Sequence, residues 1–172
     1  MRLFFVTDLH GSDPCFRKFL NAAKAYEAEM LVLGGDVCGK HVVPVIARGG
    51  EHRADPFGEQ LVARSREELA QLLKRTRDAA DYPFIGEPDE WAAIVASDSE
   101  REALFVRLLV ESIRRWVELA EERLAGTGVR CLIGAGDDDP ARDRRGPERV
   151  GVRRESRLAD GRARRFLDDQ RV

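Results

Sequence analysis

The amino-acid sequence predicts an α/β domain, a βαβ sheet with flanking helices, and three observations predict it. Apolar runs of strand type occupy residues 2–6, 30–33 and 129–134, with helical spacing in the segments between them. The first run, a helical segment and the second run follow closely enough for one βαβ unit, which implies a parallel pair and a right-handed crossover. Each run leads directly into acidic or imidazole residues, and ligands of parallel sheets bind where loops leave the carboxyl ends of strands.

The elements follow in order. Arg2-Leu3-Phe4-Phe5-Val6 is a short buried-strand pattern ending in Thr7-Asp8-Leu9-His10-Gly11. Ser12 or Asp13 caps the helix that follows, and Pro14 suits its first turn, where an N–H has no intrahelical partner. Phe16, Phe19, Leu20 and Ala23 form one apolar face. Met30-Leu31-Val32-Leu33 is the second strand, ending in Gly34-Gly35-Asp36. Val42–Ile46 is a third, whose Pro44 fits an edge or a strand start better than a central position. Residues 48–60 read as a loop and 64–80 as a helix with Leu69, Leu72 and Leu73 inward, broken by Asp81-Tyr82-Pro83. Ser97–Leu124 is one long helix or two consecutive ones, with Leu104, Leu108, Ile113, Val117 and Leu124 as core candidates and a solvated charged face. Val129–Gly134 is the last strand, before Ala135-Gly136-Asp137-Asp138-Asp139-Pro140.

Composition bounds the function. The chain has 172 residues, 43% apolar and 35% charged, and a chain of about 150 residues buries roughly 70% of its unfolded surface, enough for a core. No apolar run approaches the ~20 residues that span a bilayer, and the N-terminus reaches Asp8 too early for a signal peptide. Cys15, Cys38 and Cys131 are scattered, with no metal knuckle and no disulfide framework, which fits a reduced cytoplasm. The net charge of −2 argues against nucleic acid as a partner. Residues 141–172 nevertheless hold 11 Arg against 6 Asp and Glu, so the sharpest composition boundary falls near 140. Residues 1–140 are expected to fold as a domain, and 141–172 to form a poorly packed Arg-rich tail.

Asp8 and His10, Asp36, and the Asp137–Asp139 cluster therefore stand at three strand ends and are expected to converge on one sheet rim. Carboxylate oxygens with one imidazole suit borderline-hard divalent cations such as Mn²⁺, Fe²⁺ or Zn²⁺. The ordered set Asp-x-His, Gly-Asp and Gly-Asp-Asp-Asp resembles the calcineurin-like metallophosphoesterase family, in the subgroup with a GNDD third motif. Thr7-Asp8-Leu9-His10-Gly11-Ser12, Leu33-Gly34-Gly35-Asp36-Val37-Cys38-Gly39-Lys40 and Arg115-Trp116-Val117-Glu118-Leu119-Ala120 are similar to that subgroup. The resemblance covers residues 1–140. It implies the N-terminal half of a two-sheet α/β sandwich with the second sheet missing, so that an apolar sheet face is exposed and the chain self-associates through it. It assigns Asp8 and His10 to a first metal, Asp36 to a bridging carboxylate, and Asp137 to the second metal in place of the family's Asn. Asp138 takes the catalytic position near the leaving group, and Asp139 orients the motif. The family site is a two-metal phosphoester hydrolase.

The family pattern also requires three downstream histidines, whereas this chain has only His10, His41 and His52. At most one weakly held cation is thus expected here, with impaired hydrolysis. The tail carries a related expectation. Read one nucleotide later, permitted codons from Ala141 onward can encode Pro-Glu-Ile-Asp-Ala-Val-Leu-Asn-Glu-Ser, and 25 Arg against 4 Lys is the bias of a GC-rich gene. A frameshift near residue 140 would leave a phosphoesterase fragment with a scrambled tail. Two other readings stand beside this one: a non-catalytic metal-binding or interaction module, and an anionic-partner arm formed by the Arg-rich tail.

Overall fold

The computed structural model describes residues 1–136 together with the short strands 158–159 and 162–163. The chain divides into two compact units. Of the described residues, the first comprises 1–10, 14–38 and those from 113 onward, and the second comprises 11–13 and 39–112.

The first unit is built on a three-stranded parallel sheet. Strands β1 (Leu3–Val6), β2 (Met30–Leu33) and β7 (Arg130–Ile133) lie in the order β1-β2-β7. Leu3 is in register with Met30, and Met30 with Arg130. Successive side chains of a strand alternate between faces. One face therefore carries Leu31 and Leu33, both fully buried, and Cys131. They share the core of this unit with Phe16, Phe19 and Leu20 of helix α1 (Asp13–Ala25) and with Trp116, Ala120 and Leu124 of helix α4 (Asp98–Leu124). The rings of Phe16 and Trp116 stack with centroids 4.3 Å apart and planes 6° from parallel. The amide of Asn21 fastens the same two helices by accepting from Arg123 Nη1 at 2.9 Å. On the other face of β1, Leu3 and Phe5 are exposed.

The second unit holds a second, four-stranded sheet, which corrects the expectation that only one sheet is present. Its order is β5-β4-β3-β6, from β3 (Val42–Arg48), β4 (Glu51–Ala54), β5 (Leu61–Ala63) and β6 (Tyr82–Gly86). Residues 48–60, expected to be a loop, instead supply β4 and a 3-10 turn at Pro56–Gly58. Gly49 (φ 61°) and Gly50 (φ 83°) form the two-residue turn between Arg48 and Glu51, which are paired. Two positive φ values in succession are what a tight hairpin demands, and glycine adopts them freely. Pro44 lies in a strand with neighbours on both sides, against expectation. The β4 ladder reaches only Ile46–Arg48, so at the level of Pro44 the paired neighbour is Phe84 of β6 alone. Pro83, read as a breaker, belongs to β6, an edge strand that tolerates proline.

Helices pack against both faces of this sheet, while Val62 and Ile85 stay exposed. Val43, Val45, Ala54 and Ala63 pack with Leu72, Leu69 and Leu73 of helix α2 (Arg66–Asp78). Ser65 caps α2 by accepting from Glu68 N–H at 3.1 Å, while the Glu68 carboxylate accepts from Arg64 N–H. On the opposite face, Phe84 meets Trp91 of helix α3 (Pro88–Val95), and Tyr82 meets Phe105 edge-on. The buried positions of α4 are Leu104, Leu109, Ser112, Trp116, Ala120 and Leu124. Leu108, Ile113 and Val117 are only half-buried, because the inward stripe passes through their neighbours Leu109, Ser112 and Trp116.

Strands β8 (Leu158–Ala159) and β9 (Arg162–Ala163) pair antiparallel. The remainder of the expected Arg-rich tail lies outside the described residues. Among the described residues, no helix is long and apolar enough to cross a membrane.

Candidate metal centre

The ladder of β1 and β2 ends at Val6 and Leu33, and the two chains leave the sheet side by side. Gly34 N–H still donates to Val6 O at 2.8 Å, and Gly134 N–H to Leu33 O at 2.9 Å. The departing loops then bond to each other: Asp8 N–H donates to Gly35 O at 3.2 Å, and His10 N–H to Asp36 O at 2.9 Å. Backbone pairing thus continues past the strands and fixes Asp8, His10 and Asp36 at one rim of the sheet.

That pairing imposes an uncommon backbone. Among the described residues, five non-glycine residues have positive φ, and three of them are Asp8 (61°), His10 (45°) and Asp36 (50°). A non-glycine residue held there costs roughly 1–3 kcal/mol, least for Asp, Asn and His. Strain therefore concentrates on the three residues with metal-ligating side chains, and those side chains are of the types that best tolerate it.

The three side chains meet. One ligand atom from each of Asp8, His10 and Asp36 lies within 4.8 Å of the other two. Asp8 Oδ1 stands 3.6 Å from His10 Nε2. The Thr7 hydroxyl donates to the other oxygen, Asp8 Oδ2, so it sets the carboxylate's rotation. Asp8 is the most open of the three, while His10 and Asp36 are half-buried. His10 Nδ1 is itself shielded from solvent and has no hydrogen-bond partner among the described residues. A buried polar atom left unsatisfied costs about 1–3 kcal/mol. The residues present fit a divalent cation: two hard carboxylate donors and one borderline imidazole, converging at strand ends with a polar ring atom unsatisfied.

Of the residues singled out in the sequence, Asp8, His10 and Asp36 stand together, and Asp137, Asp138 and Asp139 lie outside the described residues. Gly136, the last described residue before them, packs directly against Asp36. His41 and His52 are not part of the cluster. His52 sits in β4 opposite Ala47 and Ala63.

His41 has a different partner, which sequence reasoning missed. Its Nδ1 lies 3.5 Å from Asp81 Oδ1, and the Asp81 side chain is only 5% exposed. Burial pushes the Asp81 carboxyl above the usual aspartate range, and attraction to His41 opposes that shift. Beside this pair, Tyr82 N–H donates to His41 O at 2.9 Å, and Tyr82 Oη accepts from Gly39 N–H at 2.7 Å. The only local signal was an aspartate immediately before an aromatic residue, which reads equally well as a turn.

Comparison of the chain with protein-family models, with curated proteins and with solved structures found no match.

Proposed function

We propose that Asp8, His10 and Asp36 hold one divalent cation and that the chain is a metal-dependent phosphoester hydrolase of the calcineurin-like type, impaired in this form. The observation that carries the reading is the convergence of those three side chains, from two separate strand ends, within 4.8 Å. The order of motifs along the sequence supports the same class, with Asp137 as a further ligand and Asp138 near the leaving group.

The chain's own groups have distinct tasks. Asp8 and Asp36 would supply the negative charge that draws a cation to the rim, and Asp36 takes the position that the resemblance gives to a bridging carboxylate. His10 contributes the single nitrogen donor. Thr7 holds Asp8 in rotation, and the bonds Asp8 N–H to Gly35 O and His10 N–H to Asp36 O keep the loops from drifting apart. A bound divalent cation supplies Lewis acidity toward a phosphoryl oxygen and makes water a better nucleophile near neutral pH.

A second reading, a metal-binding module without turnover, is favoured by one observation: of the three histidines, only His10 joins the cluster. Hydrolysis of bis(p-nitrophenyl) phosphate with and without Mn²⁺, for the full chain and for Asp36→Asn, separates the readings. Turnover that requires Mn²⁺ and falls at least about tenfold in Asp36→Asn is expected for the hydrolase. Mn²⁺ binding with no turnover supports the second reading, and no binding overturns both.

A further inference from the structure

We infer that Gly136 is a positioning residue for Asp36, a role that rests on the cation site proposed above. The third strand end then shapes that site by the side chain it lacks. A Cβ built on Gly136 would overlap Asp36 Oδ1 and the Asp36 backbone nitrogen, and would come 3.0 Å from Asp36 Cγ. Gly35 makes the reciprocal approach: its own Cβ would lie 2.7 Å from Gly136 Cα. The space over Gly136 is therefore the space in which the Asp36 carboxylate rests, with its Oδ1 shielded from solvent.

The requirement at 136 is one of room and not of dihedral. Gly35 has φ 137°, a conformation that strains any side chain, whereas Gly136 does not lie in the left-handed region. An alanine at 136 has no dihedral strain, so the crowding falls on Asp36, on its carboxylate and its backbone nitrogen. Gly134, two residues earlier on the same strand end, is a matched control. A Cβ there meets only Leu33 O at 3.7 Å, an ordinary contact. Two glycines of one loop thus differ in whether a methyl group meets Asp36, at its carboxylate and at its backbone nitrogen. In metal sites, residues that orient a ligand typically change affinity by about 10–100-fold when altered.

The test measures Mn²⁺ affinity of the full chain by calorimetry for wild type, Gly136→Ala and Gly134→Ala, with urea unfolding of each. Gly136→Ala is expected to weaken Mn²⁺ binding at least about tenfold, with Gly134→Ala unchanged. Equal affinity in Gly136→Ala and wild type overturns the inference. Unfolding of the double variant Asp36→Ala/Gly136→Ala supplies an independent reading, because removing the carboxylate removes the side-chain part of the overlap and leaves only the contact with the Asp36 backbone nitrogen. The destabilisation caused by Gly136→Ala should shrink in the Asp36→Ala background, and an undiminished cost overturns the inference. If Gly136→Ala alone fails to fold, a folded double variant supports the inference, and a double variant that stays unfolded assigns the crowding to the Asp36 backbone and overturns it. If wild type binds no Mn²⁺, the cation site falls and the unfolding cycle alone decides whether Gly136 positions Asp36.

Discussion

The backbone amide of His10 donates to the carbonyl of Asp36 at 2.9 Å, so two residues whose side chains converge are also joined through their main chains. Both have positive φ, and that shared feature gives a test of stored strain. Asp36→Gly and Asp36→Ala remove the same carboxylate, but only glycine occupies this backbone without strain. Asp36→Gly should be the more stable of the two by about 1 kcal/mol in urea unfolding. Equal stability would mean that position 36 is unstrained.

Phe16 and Trp116 predict where the first unit is most sensitive. Phe16 is fully buried and Trp116 is 4% exposed, and their rings stack. Phe16→Ala should cost about 3–5 kcal/mol, the usual loss for a buried aromatic residue. Exposed Tyr26, which stacks on Phe4, should cost much less when truncated. Denaturation followed by tryptophan fluorescence measures both.

Asp81 predicts a pH dependence of defined sign. Burial raises its folded carboxyl pKa above the unfolded value, so the folded chain holds that proton more tightly. Its contribution to stability is fully present below the ordinary aspartate range and is lost as pH rises through the raised folded value. Asp81→Asn cannot titrate. Wild type relative to Asp81→Asn should therefore be most favoured below the ordinary aspartate range and lose ground as pH rises above it, as read from melting temperatures. A difference that does not change with pH would contradict the burial of this group as a carboxylate.

The cysteines should separate by reactivity. Burial pushes the Cys131 thiol up to about 12, whereas Cys15 is exposed. A thiol reagent at about pH 8 should label Cys15 in the folded chain and reach Cys131 only after unfolding, since the thiolate is the reactive form. Mass spectrometry of the labelled peptides reports the order.

The legible parts of the fold were those whose periodicity is carried by large apolar side chains. Leu3–Val6, Met30–Leu33 and Arg130–Ile133 read as strands because they are nearly continuous apolar runs, and Phe16, Phe19 and Leu20 mark a helix face. Glu51-His52-Arg53-Ala54 did not read as a strand, because its pairing is carried by the backbone and only Ala54 is buried. The adjacent glycines, Gly49 and Gly50, held the hairpin signal. Tyr82–Gly86 was hidden by Pro83, and the stripe of α4 by Ser112 and Ala120, small residues that carry little hydrophobic weight. At the candidate site, Asp8, His10 and Asp36 stood out because glycine and charge follow an apolar run. Their backbone strain and the contact of Gly136 with Asp36 are relations between loops remote in sequence, which no local pattern encodes.

The shared cation is tested most directly by calorimetric titration of Mn²⁺ into the chelator-treated full chain and into Asp8→Asn, His10→Gln and Asp36→Asn. One bound Mn²⁺ is expected for wild type, with affinity falling at least about tenfold in each variant, as for removal of a true ligand or its orienting partner. Binding that is absent from wild type, or that persists undiminished in all three variants, would contradict the account.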